Sequence, residues 1–252
     1  MKRQFSLVII SLMLFLASFC FVACNGDTDD REPVDYSKDN SYEIEVTEDK
    51  DAVTYMPVGA KAKYGLLFYV GTSIPPECYA YLAEPLAKQG YAVVISKLLL
   101  AYAMYKKTEP AFAKYPNIEF FIGGHSQGGG AAVRRAQENS DSVKGVILCA
   151  PLCYGRDTIK DSAIPTLLLE ATKDGVLKEG NKVVAKSKLP DTRTEYMLDG
   201  CHMSFSSMDG DGILELFHDG PATEEEKISQ KELTYSYVLK FMRENVQFDA
   251  LG

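Results

Sequence analysis

The stretch Gly124-His125-Ser126-Gln127-Gly128 constrains the fold more than any other part of this sequence, because of what stands on either side of it. Before it runs Ile118-Glu119-Phe120-Phe121-Ile122, an apolar segment of strand length. After it runs Gly129-Gly130-Ala131-Ala132-Val133-Arg134-Arg135, which reads as the first turns of a helix. A serine on a tight strand-to-helix turn is forced into a strained backbone conformation, with its hydroxyl exposed above a sheet. The flanking glycines let strand and helix approach closely. The helix N-terminus aims amide dipoles at any negative charge forming beside the serine. The five-residue pattern alone is a weak signal, and its setting between strand and helix gives it weight. Ser126 is therefore a candidate nucleophile.

The rest of the chain supplies the same alternation. Tyr42–Val46 alternates like a half-exposed strand, and 52–56 is a second. Gly65–Val70 is continuously apolar, as a strand buried on both faces must be. Tyr79, Leu82, Ala83 and Leu86 have helical spacing within 76–89, and Gly90 ends that helix. Further strands are expected at 91–96, 118–122, 143–149, 165–170 and 193–198. Further helices are expected at 98–115, broken or kinked by Pro110, then through about Glu138, at 176–188 and at 227–245. Strands alternating with helices imply an α/β fold: a mainly parallel central sheet with helices on both faces. One domain over residues 41–252 is expected, with no internal repeat.

The N-terminus is set apart. Lys2-Arg3 is a short basic region, 5–22 is almost wholly apolar, and Phe21-Val22-Ala23-Cys24 leads into the polar Asn25–Asp30. A small residue before a cysteine at the end of an apolar run resembles a bacterial lipoprotein signal over residues 1–23, with Cys24 lipidated. Phe21 stands where leucine is usual. Cys20 is a poorer acceptor after bulky Phe19. A plain signal peptide or an uncleaved anchor are the other readings. Residues 24–40 are acidic around Pro33 and lack apolar periodicity, so they read as a flexible tether. The expected location is a bacterial cell-envelope membrane, facing the periplasm or the surface, held by the lipid.

Charge narrows the partners. The whole chain has a formal charge of −8; without Lys2 and Arg3, 35 acidic residues face 25 basic ones. With no basic tract to neutralise phosphates, nucleic acid is not an expected partner. Cys78, Cys149, Cys153 and Cys201 are free thiols or hold at least one disulfide, and sequence does not choose a pairing. No Cys-x-x-Cys or His-rich spacing accompanies them, so neither a metal nor another cofactor is expected.

Three segments together resemble the α/β-hydrolase superfamily, closest to a dienelactone-hydrolase-like subgroup of small bacterial members. They are Phe68–Thr72 with Pro76–Ala83, Gly123–Gly129, and Asp199–Phe205 with Asp219–Thr223 downstream. The likeness runs over about residues 60–245, and Thr72 stands where a second glycine is common. It implies a nucleophile at Ser126 and partners in the order serine, acid, histidine. Only His202 and His218 follow Ser126. His202, just past the last strand, is the expected base, with His218 the alternative. Asp174 in Ala171–Gly175 is the expected acid, or else a residue that only shapes the turn, with Glu170 in reserve. The oxyanion hole is expected from the backbone amides of Gln127 and Thr72. His125 adjoins the nucleophile and is expected to pack or hydrogen-bond within the elbow. Lys97, at a strand end, either faces a substrate carboxylate or is solvated. The short 151–163 connection leaves no room for a cap domain, so the site is open, with Tyr102, Phe205 and Leu216 as possible walls.

The resemblance implies a membrane-tethered serine hydrolase that cleaves a small-molecule carboxylic ester through an acyl-enzyme, without a cofactor. Two other readings stay open. One is a binding lipoprotein that keeps the fold without catalysis. The other is a different chemistry of the fold, although a dehalogenase would carry Asp in place of Ser126.

Overall fold

The computed structural model describes residues 31–97, 110–208 and 218–246. Its strands are β1 (Glu32–Pro33), β2 (Ile44–Glu48), β3 (Ala52–Pro57), β4 (Ala60–Lys61), β5 (Tyr64–Tyr69), β6 (Ala92–Ser96), β7 (Glu119–His125), β8 (Val143–Cys149), β9 (Thr166–Ala171) and β10 (Thr194–Leu198). Its helices are α1 (Ala80–Lys88), α2 (Pro110–Lys114), α3 (Gln127–Glu138), α4 (Glu179–Lys186) and α5 (Glu224–Val246). Eight strands form the main sheet in the order β10-β9-β8-β7-β5-β6-β3-β2. From β10 to β6 all neighbours are parallel; β3 and β2 add an antiparallel edge. This is the α/β-hydrolase fold.

Side chains that alternate along a strand point to opposite faces. Leu66 and Phe68 of β5 join Phe121, Ile147 and Leu169 beneath Leu82 and Leu86 of α1 and Phe241 and Met242 of α5. Leu67 and Tyr69 join Ile122, Leu148 and Leu168 beneath Ala132 and Val133 of α3 and Ala185 of α4. Both faces of the sheet are therefore covered, which is why these strands are apolar throughout.

The sheet order fixes where a site can form. The chain leaves β5 toward β6, then returns to the other side of β5 for β7. Strand order reverses there, and a crevice opens at the carboxyl ends of β5 and β7. Tyr69 pairs with Gly124 in register, so the loop at Gly71-Thr72 and the turn at Ser126 emerge side by side.

Two expectations need correction. Residues 32–40 are not a free tether. Glu32-Pro33 pairs with Ala60-Lys61, and Tyr36 is buried. Its hydroxyl donates to the Gly90 carbonyl at 3.2 Å and accepts from the Lys63 and Tyr64 amides at 3.0 and 3.1 Å. Three bonds and a ring packed on Tyr64 and Tyr91 outweigh the acidic surroundings. The helix expected over 176–188 is shortened to α4, because its first residues form a turn around Asp174. Of the helix expected at 98–115, only α2 lies within the described residues. Between β8 and β9, residues 150–165 carry no helix or strand. Cys78, Cys149, Cys153 and Cys201 are not joined in disulfides.

Candidate active site

Ser126 has φ 55° and ψ −122°, a conformation that costs a non-glycine residue energy and persists only where its surroundings enforce it. Those surroundings are backbone. The Ser126 amide donates to the Cys149 carbonyl at 3.0 Å, and its carbonyl accepts from Gly129 and Leu152 at 3.0 and 2.8 Å. The turn is so tight that a Cβ on Gly124 would sit 2.3 Å from the Gly128 carbonyl. One on Gly128 would sit 2.2 Å from the Tyr69 carbonyl oxygen. The glycines are there for room. Gln127 begins α3, so its amide is one of the helix's unpaired N-terminal donors. Neither it nor the Thr72 amide donates to a backbone acceptor among the described residues.

Asp174 and His202 come from loops after β9 and β10 and meet. His202 Nδ1 lies 2.9 Å from Asp174 Oδ2, with 2 % and 1 % of the two side chains exposed. The other oxygen of Asp174 accepts the Val176 and Leu177 amides at 2.9 and 2.8 Å. Burial pushes the Asp174 carboxyl up, but the His202 ring and the Leu177 amide outweigh it and hold it below the usual carboxylate range. An ionised Asp174 accepts the hydrogen bond of Nδ1–H, so Nε2 of neutral His202 carries the basic lone pair.

His125 links this pair to the elbow. Its ring centre is 4.7 Å from that of His202 and 5.8 Å from that of Phe205. Its Nδ1 lies 2.9 Å from the Tyr79 hydroxyl, which also accepts the Gly71 amide at 2.9 Å. Burial holds the Tyr79 phenol far above its ordinary range, so it keeps a proton to donate to Nδ1. Burial first, and then the His202 charge, push His125 well below the usual imidazole range. His125 is thus neutral, as a buried histidine that bonds within the elbow. Its Nε2 is buried without a well-formed hydrogen bond.

The remaining candidates take no part in the Asp174–His202 bond. Glu170 is buried against Lys186 at 2.6 Å. Lys97 pairs with Glu48 at 2.6 Å and donates to the Asp49 carbonyl. His218 is exposed, at φ 55°. Phe205 is fully buried core; Tyr102, Leu216 and Cys24 lie outside the described residues. Among the described residues, no three His, Cys, Asp or Glu side chains are grouped as a metal ion would require. No helix among them is long and apolar enough to cross a membrane. Sequence reasoning missed Tyr79, which it used only as a helix-spacing residue. An aromatic hydroxyl on the otherwise apolar face of 76–89 was the available signal.

Comparisons with known proteins bear on the fold and the family. No match was found among curated proteins. A predicted CIB-like hydrolase from Thermoplasma acidophilum superimposes with a TM-score of 0.57 at 16 % identity, over 81 % of this chain and 99 % of that one. The thioesterase domain of the curacin biosynthetic pathway does so with a TM-score of 0.50 at 13 % identity, over 66 % and 95 %. At such identities the likeness concerns the fold. The sequence itself matches the model of the alpha/beta hydrolase family over residues 65–211, a span that holds Thr72, Ser126, Gln127, Asp174 and His202. The chain belongs to the alpha/beta hydrolase family.

Proposed function

We propose that the protein is a serine hydrolase that cleaves a carboxylic ester with Ser126, His202 and Asp174. The observation that carries this reading is the buried 2.9 Å bond between His202 and Asp174, on loops beside a strained Ser126. In the first half-reaction His202 Nε2 takes the Ser126 hydroxyl proton as Oγ attacks the ester carbonyl. The Gln127 and Thr72 amides receive the developing oxyanion. The carbon–oxygen bond to the alcohol breaks, and the alcohol leaves with the proton that His202 held. Water then repeats the sequence on the acyl-enzyme and releases the acid. Asp174 keeps the His202 tautomer and stabilises the imidazolium. Esters are preferred to amides because the alkoxide is the better leaving group. The plain 150–165 connection supports an open site of the dienelactone-hydrolase-like kind.

A fluorophosphonate probe is expected to label the Ser126 peptide stoichiometrically. Ser126→Ala is expected to fold and to lose at least about 10³-fold in kcat on a panel of oxygen esters and thioesters. Undiminished turnover in that variant sinks the assignment.

The same proposal puts lipid on Cys24. The apolar run and the Ala23-Cys24 step support it. Cys24→Ala is expected to abolish metabolic palmitate labelling; labelling that survives points to Cys20 or to a different export signal.

A further inference from the structure

We propose that Asp219 is the positioning residue of the His202 side, a carboxylate that clamps the histidine loop to the acid loop. The inference rests on the serine-hydrolase reading of Ser126, His202 and Asp174. Asp219 Oδ1 accepts the Gly175 amide at 3.0 Å, the His202 amide at 3.1 Å and its own neighbour Gly220 at 2.8 Å. Oδ2 accepts the Met203 amide at 2.7 Å. Gly175 follows Asp174 directly, and His202 is the candidate base itself. One side chain thus holds the backbone on both sides of the Asp174–His202 bond.

The chemistry calls for a carboxylate. It accepts at both oxygens and has no donor, and here it receives four amides, three at Oδ1 and one at Oδ2. Asparagine with its oxygen at the Oδ1 place would keep Gly175 and His202 but set its amino group against the Met203 N–H, and alanine would release all four amides. The three segments are also brought into backbone contact. A Cβ on Gly220 would lie 1.8 Å from the Lys173 carbonyl oxygen, and the Lys173 amide donates to the Gly200 carbonyl at 2.8 Å. Without the clamp, the two loops are joined among the described residues, beyond the Asp174–His202 bond, only by contacts that precede both residues, such as Lys173 to Gly200 and Thr172 to Asp199. The Met203–Phe205 turn would keep its far end, where Tyr81 donates to the Phe205 carbonyl at 3.0 Å, and lose its near end.

The test uses the full chain in detergent, with three readouts. In the parent protein the Gly175, His202 and Met203 amides are expected to exchange slowly with solvent, and the His202 Nδ1 proton is expected as a resolved far-downfield NMR resonance. In Asp219→Ala those amides are expected to exchange faster, and the downfield resonance to broaden or vanish while circular dichroism is retained. With p-nitrophenyl acetate, kcat is expected to fall about 10–100-fold with KM within about twofold, the signature of a displaced catalytic group. Asp219→Glu keeps the charge but displaces it, and is expected to recover only part of the rate. Fast exchange of the three amides in the parent overturns the proposal, whatever the variants do. So does an Asp219→Ala protein with unchanged kcat and an intact downfield resonance. If the parent neither turns over esters nor labels with fluorophosphonate, the serine-hydrolase reading fails. The amide-exchange and resonance comparisons still decide whether the clamp exists.

Discussion

On one side of the crevice Ser126 is held by backbone: its own strand, two glycines with no room for a methyl group, a helix that starts at the next residue, and hydrogen bonds to Cys149 and Leu152 at the end of β8 and just past it. On the other side His202 stands in a loop whose only regular element among the described residues is a three-residue turn, Met203–Phe205. Its backbone is held by a carboxylate 17 positions away. The first wall is made by sterics and backbone hydrogen bonds, the second by side chains that reach across the chain. The difference teaches that damage to the two walls takes different forms. Crowding the elbow is a stability problem for the whole sheet, since it presses on β5. Loosening the histidine wall is a problem of geometry at one nitrogen, and the core beneath need not notice.

Asp174→Asn is the largest way to separate the walls. Asparagine can keep the Val176 and Leu177 amides through its oxygen but presents an amino group to His202 Nδ1. The ring is then driven to the wrong tautomer, and kcat is expected to fall about 10³–10⁴-fold with urea stability little changed. An equally large loss of stability would mean that the histidine wall bears load like the elbow.

Gly128→Ala comes next and acts in the opposite currency. Its Cβ would press on the Tyr69 and Val70 carbonyl oxygens at 2.2 and 2.5 Å, both of them backbone. A loss of about 3 kcal/mol or more in urea unfolding is expected, with activity lost alongside the folded fraction. A variant of normal stability but no activity would break the comparison.

Tyr79→Phe sharpens it with the smallest effect. It strands the Gly71 amide and His125 Nδ1, two buried groups that now share one hydroxyl. We expect about 2 kcal/mol of destabilisation and no more than about a tenfold fall in kcat, since the oxyanion loop keeps its other packing.

This division also governs how much the sequence discloses. Ser126 was legible because its strand, glycines and helix are contiguous. Asp174 and His202 were placed because each follows a recognisable apolar strand by a few residues, and the structure brings them together. Asp219 and Tyr79 were not given roles. Their partners, backbone amides and for Tyr79 also the His125 ring, come together only after the strands have stacked, and the one local mark is the Tyr79 hydroxyl on an otherwise apolar helix face. Residues 32–40 were misread for the same reason. Their acidic composition is that of a tether, whereas the Tyr36 hydroxyl finds the Gly90, Lys63 and Tyr64 backbone only in the folded domain. The sheet itself was legible almost strand by strand, because burial on both faces leaves an uninterrupted apolar record.

The buried His125 gives the pocket a proton count. Two imidazoles lie with centres 4.7 Å apart, and burial and mutual repulsion keep one of them neutral in acid. As the medium acidifies, His125 adds no protonation of its own to the site. On the acid side, log kcat/KM should therefore fall with unit slope, tenfold per pH unit, instead of hundredfold. The enzyme would dim in acid rather than switch off, and the histidine beside Ser126 would be a spectator to that titration.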